Sequence, residues 1–237
     1  FDAETGAEQW STSVTDSKLS SPTVVNGTVY VAAATELLDE DSDLVVCALD
    51  SATGRKRWTF KEPAHMLSSP TVADGTVYVG SGDNSLYALD AADGTEQWRF
   101  DTGGRVGSSP TVDDESVYVG SVASAVFAVD RESGDRRWRF ETGAAVLGAP
   151  AVSDSTVYVG AGDQNVYALE AGDGTERWSF RTRGIVTGAP AILGDTVYVG
   201  SRDNNVYAID AETGDKLWEF DVRGAVQGSP AVTERTV

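Results

Sequence analysis

The sequence repeats with a period of 40 residues, and this period constrains the fold more than any other feature. Tryptophan occurs six times, and the successive spacings are 48, 40, 40, 40 and 40 residues. Six of the seven prolines, at positions 22, 70, 110, 150, 190 and 230, show the same intervals. A chain of such copies folds as an array of similar units, because each unit buries its apolar surface against its neighbours.

Each unit contains four short runs of β-type sequence that are separated by turn signals. One copy reads SSPTV, SVYVGS, AVFAVD and RRWRF. The pairs Asn26-Gly27 and Asp74-Gly75 accept the positive φ angles of a tight primed hairpin. The turn before each tryptophan run carries a glycine, which suits a left-handed backbone position. Each unit is therefore predicted to form a four-stranded antiparallel meander.

The alternation of apolar residues predicts how the meanders pack. In TVYVG, Val77 and Val79 face one side of the strand and Tyr78 faces the other, so both faces are apolar. In the last run, Trp98 lies on one face and Arg99 on the other, so this strand is half exposed. A sheet with two apolar faces needs a neighbour on each side. We therefore predict an all-β fold, a β-propeller of four-stranded antiparallel blades.

The repeat count predicts a single propeller domain over residues 1–237 with about six blades' worth of sequence. The five complete blades are expected at about 19–60, 68–100, 108–140, 148–180 and 188–220. Residues 1–12 are expected to supply a fourth strand, and residues 228–237 a first strand. Joined as a sixth blade, these two pieces lack most of the central strands. We interpret the chain as a fragment of a larger propeller; an open arc and an imperfect six-bladed ring are the alternatives.

The composition is strongly acidic, with 37 acidic and 18 basic residues and a net charge of -19. This balance resembles that of proteins from extreme halophiles, since molar salt shortens the Debye length to about 3 Å and screens carboxylate repulsion. An ordinary acidic secreted protein is the alternative. The same charge repels phosphate backbones, so nucleic acid is not an expected partner. No apolar run reaches the roughly 18 residues of a membrane helix, and the lone Cys47 excludes an intramolecular disulfide.

The recurring phrase, such as NVYAIDAETGDKLWEF from Asn205, resembles the tryptophan-docking motif A-x-D-x-x-T-G-x-x-x-W of pyrroloquinoline quinone (PQQ) repeat propellers. The resemblance covers the whole chain. It implies that each tryptophan lies between blades, against the alanine of its own motif and the glycine peptide of a neighbour. The residues assigned to this structural role are Trp10, Trp58, Trp98, Trp138, Trp178, Trp218, Gly54, Gly94, Gly134, Gly174 and Gly214.

The loops after the second and fourth strands are expected at one end of the propeller, where binding residues commonly lie. Arginines in these loops are candidates for a rim that binds an anionic ligand or a partner segment through bidentate guanidinium contacts. They are Arg105, Arg183, Arg202 and Arg223, with Arg181 nearby. The alternative is that each arginine pairs with a neighbouring aspartate, such as Asp101, Asp203 or Asp221.

Asp83, Asp163 and Asp203 occupy matching loop positions and are weak candidates for cofactor binding. Quinoproteins, which the chain resembles, use carboxylate and amide oxygens to hold Ca²⁺ and a carboxylate as a base. The capping of local turns is the alternative role. The adjacent cysteine pair of quinoprotein alcohol dehydrogenases is absent.

Two other features carry no predicted site. The inserted segment ATELLDEDSDL holds five carboxylates, Glu36, Asp39, Glu40, Asp41 and Asp43, but its spacing does not match an EF-hand, so we interpret it as a solvated acidic loop. His65, the only histidine, has no visible catalytic partner. We predict no catalytic residue and no metal ligand.

These observations favour a non-enzymatic binding or scaffold propeller that presents a loop rim to a protein, peptide or small-molecule partner. Its architecture is similar to that of the outer-membrane assembly lipoprotein of Gram-negative bacteria, although a halophilic archaeal source would exclude that particular role. The alternatives are a PQQ- and Ca²⁺-dependent quinoprotein dehydrogenase and the sensor domain of a larger signalling protein. The resemblance is consistent with the cell surface or secretion for the full-length protein, and the sequence itself leaves the location open.

Overall fold

The computed structural model describes residues 2, 4–14, 19–34, 43–64, 68–233 and 236–237. Over these residues the chain forms five sheets, each with four strands that pair antiparallel in chain order. No helix occurs in the described ranges, and so none is long and apolar enough to span a membrane. The predicted all-β fold of four-stranded antiparallel meanders is confirmed.

The strands are short and regular from sheet to sheet. The first sheet comprises β1 (Thr23–Val25), β2 (Thr28–Ala34), β3 (Asp43–Asp50) and β4 (Lys56–Pro63). The second comprises β5 (Thr71–Ala73), β6 (Thr76–Gly80), β7 (Ser85–Asp90) and β8 (Glu96–Asp101). The third comprises β9 (Thr111–Val112), β10 (Ser116–Ser121), β11 (Ala125–Asp130) and β12 (Arg136–Glu141). The fourth comprises β13 (Ala151–Ser153), β14 (Thr156–Gly160), β15 (Asn165–Glu170) and β16 (Glu176–Arg181). The fifth comprises β17 (Ala191–Leu193), β18 (Thr196–Gly200), β19 (Asn205–Asp210) and β20 (Lys216–Asp221).

The turn between the third and fourth strands is fixed by its own side chains. In the first sheet, Asp50 Oδ1 accepts hydrogen bonds from the Thr53 amide at 2.9 Å and from the Thr53 hydroxyl at 2.8 Å. The hydrogen bonds from Arg57 and then Thr53 lower the pKa of Asp50 to about 2. Gly54 follows with a φ of +69°, a left-handed conformation that favours glycine. The aspartate of the repeat therefore stabilises its turn as a carboxylate.

The sheets pack face to face, and the core lies between them. Each shared cluster joins apolar residues of two consecutive sheets; one holds Val126 of the third sheet with Val157 and Leu169 of the fourth. The innermost strands are linked directly, because Thr71 Oγ1 donates to the Pro110 carbonyl and Thr111 Oγ1 to the Pro150 carbonyl, both at 2.6 Å. First strands therefore line the centre, and the tryptophan strands lie outermost, as the alternation predicts.

The two end segments are predicted to supply strands of a partial blade, and this stays a prediction. Within the described ranges, residues 4–14 and 228–232 form no strand. Residues 4–14 nevertheless lie against the first sheet. The Trp10 indole N–H donates to the Ser51 carbonyl at 2.9 Å, and Thr12 Oγ1 donates to the Gly54 carbonyl at 2.7 Å.

Candidate functional site

The loops that follow the second and fourth strands meet at one end of the fold, and we call them the rim loops. Backbone hydrogen bonds join them across sheets: the Val122 amide donates to the Arg105 carbonyl at 2.9 Å, and the Arg202 amide to the Ile185 carbonyl at 3.0 Å. The described rim loops comprise residues 81–84, 102–110, 122–124, 142–150, 161–164, 182–190, 201–204 and 222–229. The four candidate arginines therefore lie at the same end.

The candidate arginines are exposed and differ in their partners. Arg183 forms an ion pair with Glu219, because its Nη2 lies 3.0 Å from Glu219 Oε1. Arg202 Nη2 donates to the side-chain carbonyl of Gln227 at 3.3 Å. The guanidinium groups of Arg105 and Arg223 have no hydrogen bond or ion pair with any described residue. Among the described residues, none of the four guanidinium groups forms an ion pair with Asp101, Asp203 or Asp221.

The three candidate aspartates each bind a tyrosine four residues ahead. Asp203 Oδ2 accepts from the Tyr207 hydroxyl at 2.7 Å and from the backbone amide of Arg183, in the preceding sheet's loop, at 2.8 Å. Asp163 Oδ2 accepts from the Tyr167 hydroxyl and from the Gly143 amide, both at 2.6 Å. Each of these carboxylates thus joins two consecutive sheets at the rim.

The second sheet repeats part of this arrangement. Asp83 Oδ2 accepts from the Tyr87 hydroxyl at 2.5 Å, and its Oδ1 accepts from the Ser85 amide at 2.9 Å. In the third sheet, Ala123 stands at the aspartate position and Phe127 at the tyrosine position. The sequence analysis did not identify this aspartate–tyrosine pairing. The signal for it is that one copy of the repeat lacks both the aspartate and the tyrosine.

The ionisation of these groups follows from their contacts. Burial alone would raise the pKa of Asp203, but hydrogen bonds from Tyr207, the Arg183 amide and Asn205 together hold the pKa below its ordinary value. Burial, and then the hydrogen bond to Asp203, raise the pKa of Tyr207 to about 12. Burial, and then the hydrogen bond to Asp163, likewise raise the pKa of Tyr167 to about 12. At neutral pH the hydroxyl groups of Tyr167 and Tyr207 therefore keep their protons and donate hydrogen bonds to the aspartates.

The rim carboxylates do not fit a Ca²⁺ and quinone site. Ca²⁺ takes six to eight oxygen ligands, whereas the three aspartates belong to three different sheets and already accept hydrogen bonds. The described ranges contain no group of three or more histidine, cysteine, aspartate or glutamate side chains that could hold a metal ion. His65 and most of the inserted acidic loop, from Glu36 to Asp41, lie outside the described residues.

The tryptophans occupy repeated positions between sheets, which we call the Trp–Gly contacts. Within its own sheet, Trp98 pairs across the strands with Ala88. Its indole N–H donates to the carbonyl of Arg131, in the next sheet, at 3.2 Å, and its ring covers Gly134. A Cβ added to that glycine would lie 2.8 Å from the ring. Equivalent contacts bind Trp10 at Gly54, Trp58 at Gly94, Trp138 at Gly174 and Trp178 at Gly214.

A second aromatic contact crosses each sheet interface and was not anticipated from the sequence. The ring of Phe180 in β16 lies 5.4 Å from that of Tyr207 in β19. Corresponding pairs are Phe60 with Tyr87, Phe100 with Phe127 and Phe140 with Tyr167. The same tyrosine therefore packs on one sheet through its ring and binds the rim aspartate through its hydroxyl.

The repeated sequence matches the sequence model of one known family. The sequence model described as "Outer membrane protein assembly factor BamB" matches residues 1–71, 66–152 and 89–228. The chain belongs to this family. The predicted resemblance to PQQ-repeat propellers is thereby confirmed, whereas the predicted halophilic archaeal source stays a prediction. No curated protein sequence matches the chain significantly.

Solved structures of the BamB type and of quinoproteins share the fold. BamB from Moraxella catarrhalis is 22% identical with a TM-score of 0.72, and the match covers 85% of this chain and 61% of that one. The computationally designed Ika8 protein is 19% identical with a TM-score of 0.77, with 89% and 64% covered. Quinohemoprotein alcohol dehydrogenase from Comamonas testosteroni is 19% identical with a TM-score of 0.72, with 85% and 42% covered. The chain thus spans less than two thirds of each of these structures.

These likenesses establish the propeller fold and leave the activity open. The neighbours include both a BamB protein, whose family is described as an assembly factor, and alcohol dehydrogenases. The function of a member of the BamB family must therefore be argued from its own rim residues.

Proposed function

We propose that this chain is a non-enzymatic binding propeller whose rim loops receive an acidic segment of a partner protein. The observation that carries the proposal is that three exposed arginines of the rim loops, Arg105, Arg202 and Arg223, lie at one end of the fold, each without a carboxylate partner among the described residues. With a net charge of -19, the chain offers many carboxylates, yet these guanidinium groups are not neutralised by any of those described. A guanidinium binds a carboxylate through two parallel hydrogen bonds.

The rim also has the rigidity that binding favours. Arg202 lies next to Asp203, whose carboxylate is held by Tyr207 and by the amide of Arg183. Arg223 follows β20, and its own amide donates to Asp221 Oδ1 at 2.7 Å. Loops that are already ordered lose less conformational entropy on binding. Membership of the BamB family supports a protein partner, since the family is described as an assembly factor.

The proposal is tested with a fluorescently labelled hexaglutamate peptide as the probe, measured by anisotropy over a KCl series. We expect the double variant Arg202→Gln/Arg223→Gln to bind about tenfold or more weakly, because hydrogen bonds to charged groups contribute about 1.5 to 3 kcal/mol each. Arg55→Gln/Arg136→Gln is the matched control, since it removes the same number of charges from two exposed arginines that lie at the opposite end of the fold. Equal losses in the two variants would mean that the probe senses overall charge only and would contradict the proposal.

The second candidate function is a quinone-dependent dehydrogenase, which the quinoprotein neighbours favour. The hydrogen bonds of the three rim aspartates to tyrosines and backbone amides argue against it, because Ca²⁺ would have to displace these donors. Adding PQQ and CaCl₂ and following indole fluorescence together with dye reduction by alcohols distinguishes the two. Saturable quenching with turnover would favour the dehydrogenase; neither is expected. The sensor-domain alternative stays a prediction.

A further inference from the structure

Arg131 lies across the interface between the second and third sheets, at the end of the fold opposite the rim loops. It follows β11, and its Nη1 donates to the Asp113 carbonyl at 3.2 Å. Its Nη2 forms an ion pair with Asp74 of the second sheet. The Arg131 side chain is only 15% exposed. One guanidinium group therefore bridges two sheets through a carboxylate and a backbone carbonyl.

Alanines stand at the corresponding positions of the next two sheets. They are Ala171 in the fourth sheet and Ala211 in the fifth. The carbonyls of Arg131, Ala171 and Ala211 each accept the indole N–H of the preceding sheet's tryptophan, at 3.2, 2.8 and 3.0 Å respectively. The three backbones are thus held in the same way, and the side chain differs. A methyl group in place of the arginine side chain leaves room between the sheets.

This room forms two clefts, which we call the alanine clefts. The first, of about 600 Å³, lies between the third and fourth sheets, and Asp114, Asp154 and Ala171 line it. The second, of about 290 Å³, lies between the fourth and fifth sheets, and Asp154, Asp195 and Ala211 line it. Among the described residues, the lining of each cleft holds one arginine and several carboxylates. Both clefts therefore have a negative potential, which attracts a cation.

Each alanine cleft holds a carboxylate at the position that Asp74 occupies beside Arg131. Asp74, Asp114 and Asp154 all lie in the turn between the first and second strands of their sheets. The Asp114 carboxylate has no hydrogen bond or ion pair with any described residue. Asp154 accepts a hydrogen bond from the Ser153 hydroxyl at 3.2 Å. Each cleft thus retains carboxylate oxygens that a cation can bind.

The arginine that lines each alanine cleft is already paired within its own sheet. Arg137 Nη2 lies 2.6 Å from Glu115 Oε2, and its Nη1 donates to Ser116 Oγ at 2.9 Å. Arg177 donates two hydrogen bonds to Glu170, at 2.7 and 2.8 Å. These arginines therefore do not bridge the two sheets as Arg131 does.

We propose that each alanine cleft binds the guanidinium group of an arginine side chain from a partner protein, in the place that Arg131 fills between the second and third sheets. In the first cleft the bound group meets the Asp114 carboxylate and the Ser153 carbonyl, which corresponds to the Asp113 carbonyl that Arg131 binds. A guanidinium suits such a pair of acceptors because its donors form a planar fork. The site lies at the opposite end from the rim loops, so both ends can be occupied together.

The test is a titration of the isotope-labelled chain with N-acetylarginine amide at low salt, followed by the NMR shifts of the backbone amides. We expect saturable shifts around Ala171 and Ala211 with a Kd of about 1 to 10 mM, since a few charge-assisted hydrogen bonds give a small ligand weak affinity. N-acetyllysine amide carries the same charge and is the control probe. It is expected to bind about threefold or more weakly, because an ammonium group lacks the planar fork.

Two reciprocal variants locate the site. Ala171→Arg is expected to abolish the shifts at the first cleft, because the new side chain occupies it as Arg131 occupies its own interface. The shifts around Ala211 are expected to stay, which is the internal control. Arg131→Ala is expected to open a third cleft and to produce new saturable shifts near Asp74. The amide spectrum of the remaining sheets establishes that each variant is folded.

Three results would overturn the proposal. The first is equal binding of the arginine and lysine probes, which would mean that net charge alone attracts them. The second is an Ala171→Arg variant that keeps the shifts at the first cleft, or an Arg131→Ala variant that gains none near Asp74. The third is tighter binding of free arginine than of N-acetylarginine amide, which would assign the clefts to the free amino acid and not to a partner protein.

Discussion

One glycine in each repeat decides where the neighbouring tryptophan ring lies. At Gly134 the backbone has a φ of +75°, and the Trp98 ring occupies the space that a side chain would need. The ring also donates its N–H to the carbonyl of Arg131, three residues earlier in the same turn. A large apolar ring thus gains both burial and a hydrogen-bond partner, which stabilises the sheet interface.

Replacing a covered tryptophan is expected to cost far more stability than replacing the exposed one. Trp178→Ala empties a buried site and leaves the Ala211 carbonyl without its indole donor, so we expect a loss of about 3 to 5 kcal/mol. Trp218→Ala removes a ring that is 40% exposed, and we expect a much smaller loss. Urea unfolding at low protein concentration measures both. Similar losses would show that the Trp–Gly contacts do not hold the sheets together.

The rim tyrosines are expected to depend on their hydroxyl groups. Tyr207→Phe removes the donor at 2.7 Å from Asp203 and keeps the ring contact with Phe180, so we expect a loss of about 1.5 to 3 kcal/mol in the free energy of unfolding. Tyr198→Phe is the control, because the Tyr198 hydroxyl makes no hydrogen bond with the described residues. Chemical denaturation of the two variants gives the comparison. A neutral Tyr207→Phe would contradict a stabilising role for the pair.

At the scale of elements, the rim loops between the second and third strands of the fourth and fifth sheets are linked to the sheet before them. The link is made by Asp163 or Asp203, each of which binds a tyrosine of its own sheet and a backbone amide of the preceding loop. The rim is stiffened by hydrogen bonds, while the outer half of each interface is held by aromatic rings.

Alkaline pH is expected to weaken these links. The folded-state pKa of Tyr167 and of Tyr207 is about 12, above the ordinary value of 10.0. The unfolded chain therefore loses these protons first, so stability is full below about pH 10 and falls as the pH rises toward 12. Unfolding free energy and tyrosinate absorbance, followed together, measure the effect. A Tyr207→Phe variant should show a shallower fall, and a stability that is constant between pH 10 and 12 would contradict the expectation.

At the scale of the whole molecule, five similar sheets form a row in which every interface uses the same contacts. Stability in such an array is approximately a sum of unit and interface terms. The four interfaces between the five sheets each bury one tryptophan against one glycine.

The net charge of -19 predicts a stability that depends on salt. Raising KCl from about 0.1 M to about 2 M screens the repulsion between carboxylates, and we expect the midpoint of thermal unfolding to rise by roughly 5 to 10 °C. Calorimetry in KCl, with glucose at equal osmolality as the control, separates screening from solvent exclusion. Equal midpoints at the two salt concentrations would remove the argument for a halophilic protein.

The sequence by itself determined the sheets, their turns and the fold. The reason is that each of these features depends on residues that are close together in the sequence. Asp50, Thr53 and Gly54 form one turn without help from other sheets. The alternation of apolar and polar residues assigns each strand residue to one face of its sheet. Because the sequence repeats, the same turns and strands recur in each unit along the chain.

Only the tertiary structure decided which polar groups meet. Asp203 lies next to Arg202 in the sequence, yet its carboxylate binds Tyr207 and the backbone of Arg183, while the Arg183 side chain pairs with Glu219. The partner that a long side chain reaches depends on the distance between the sheets, and the local sequence pattern does not encode that distance.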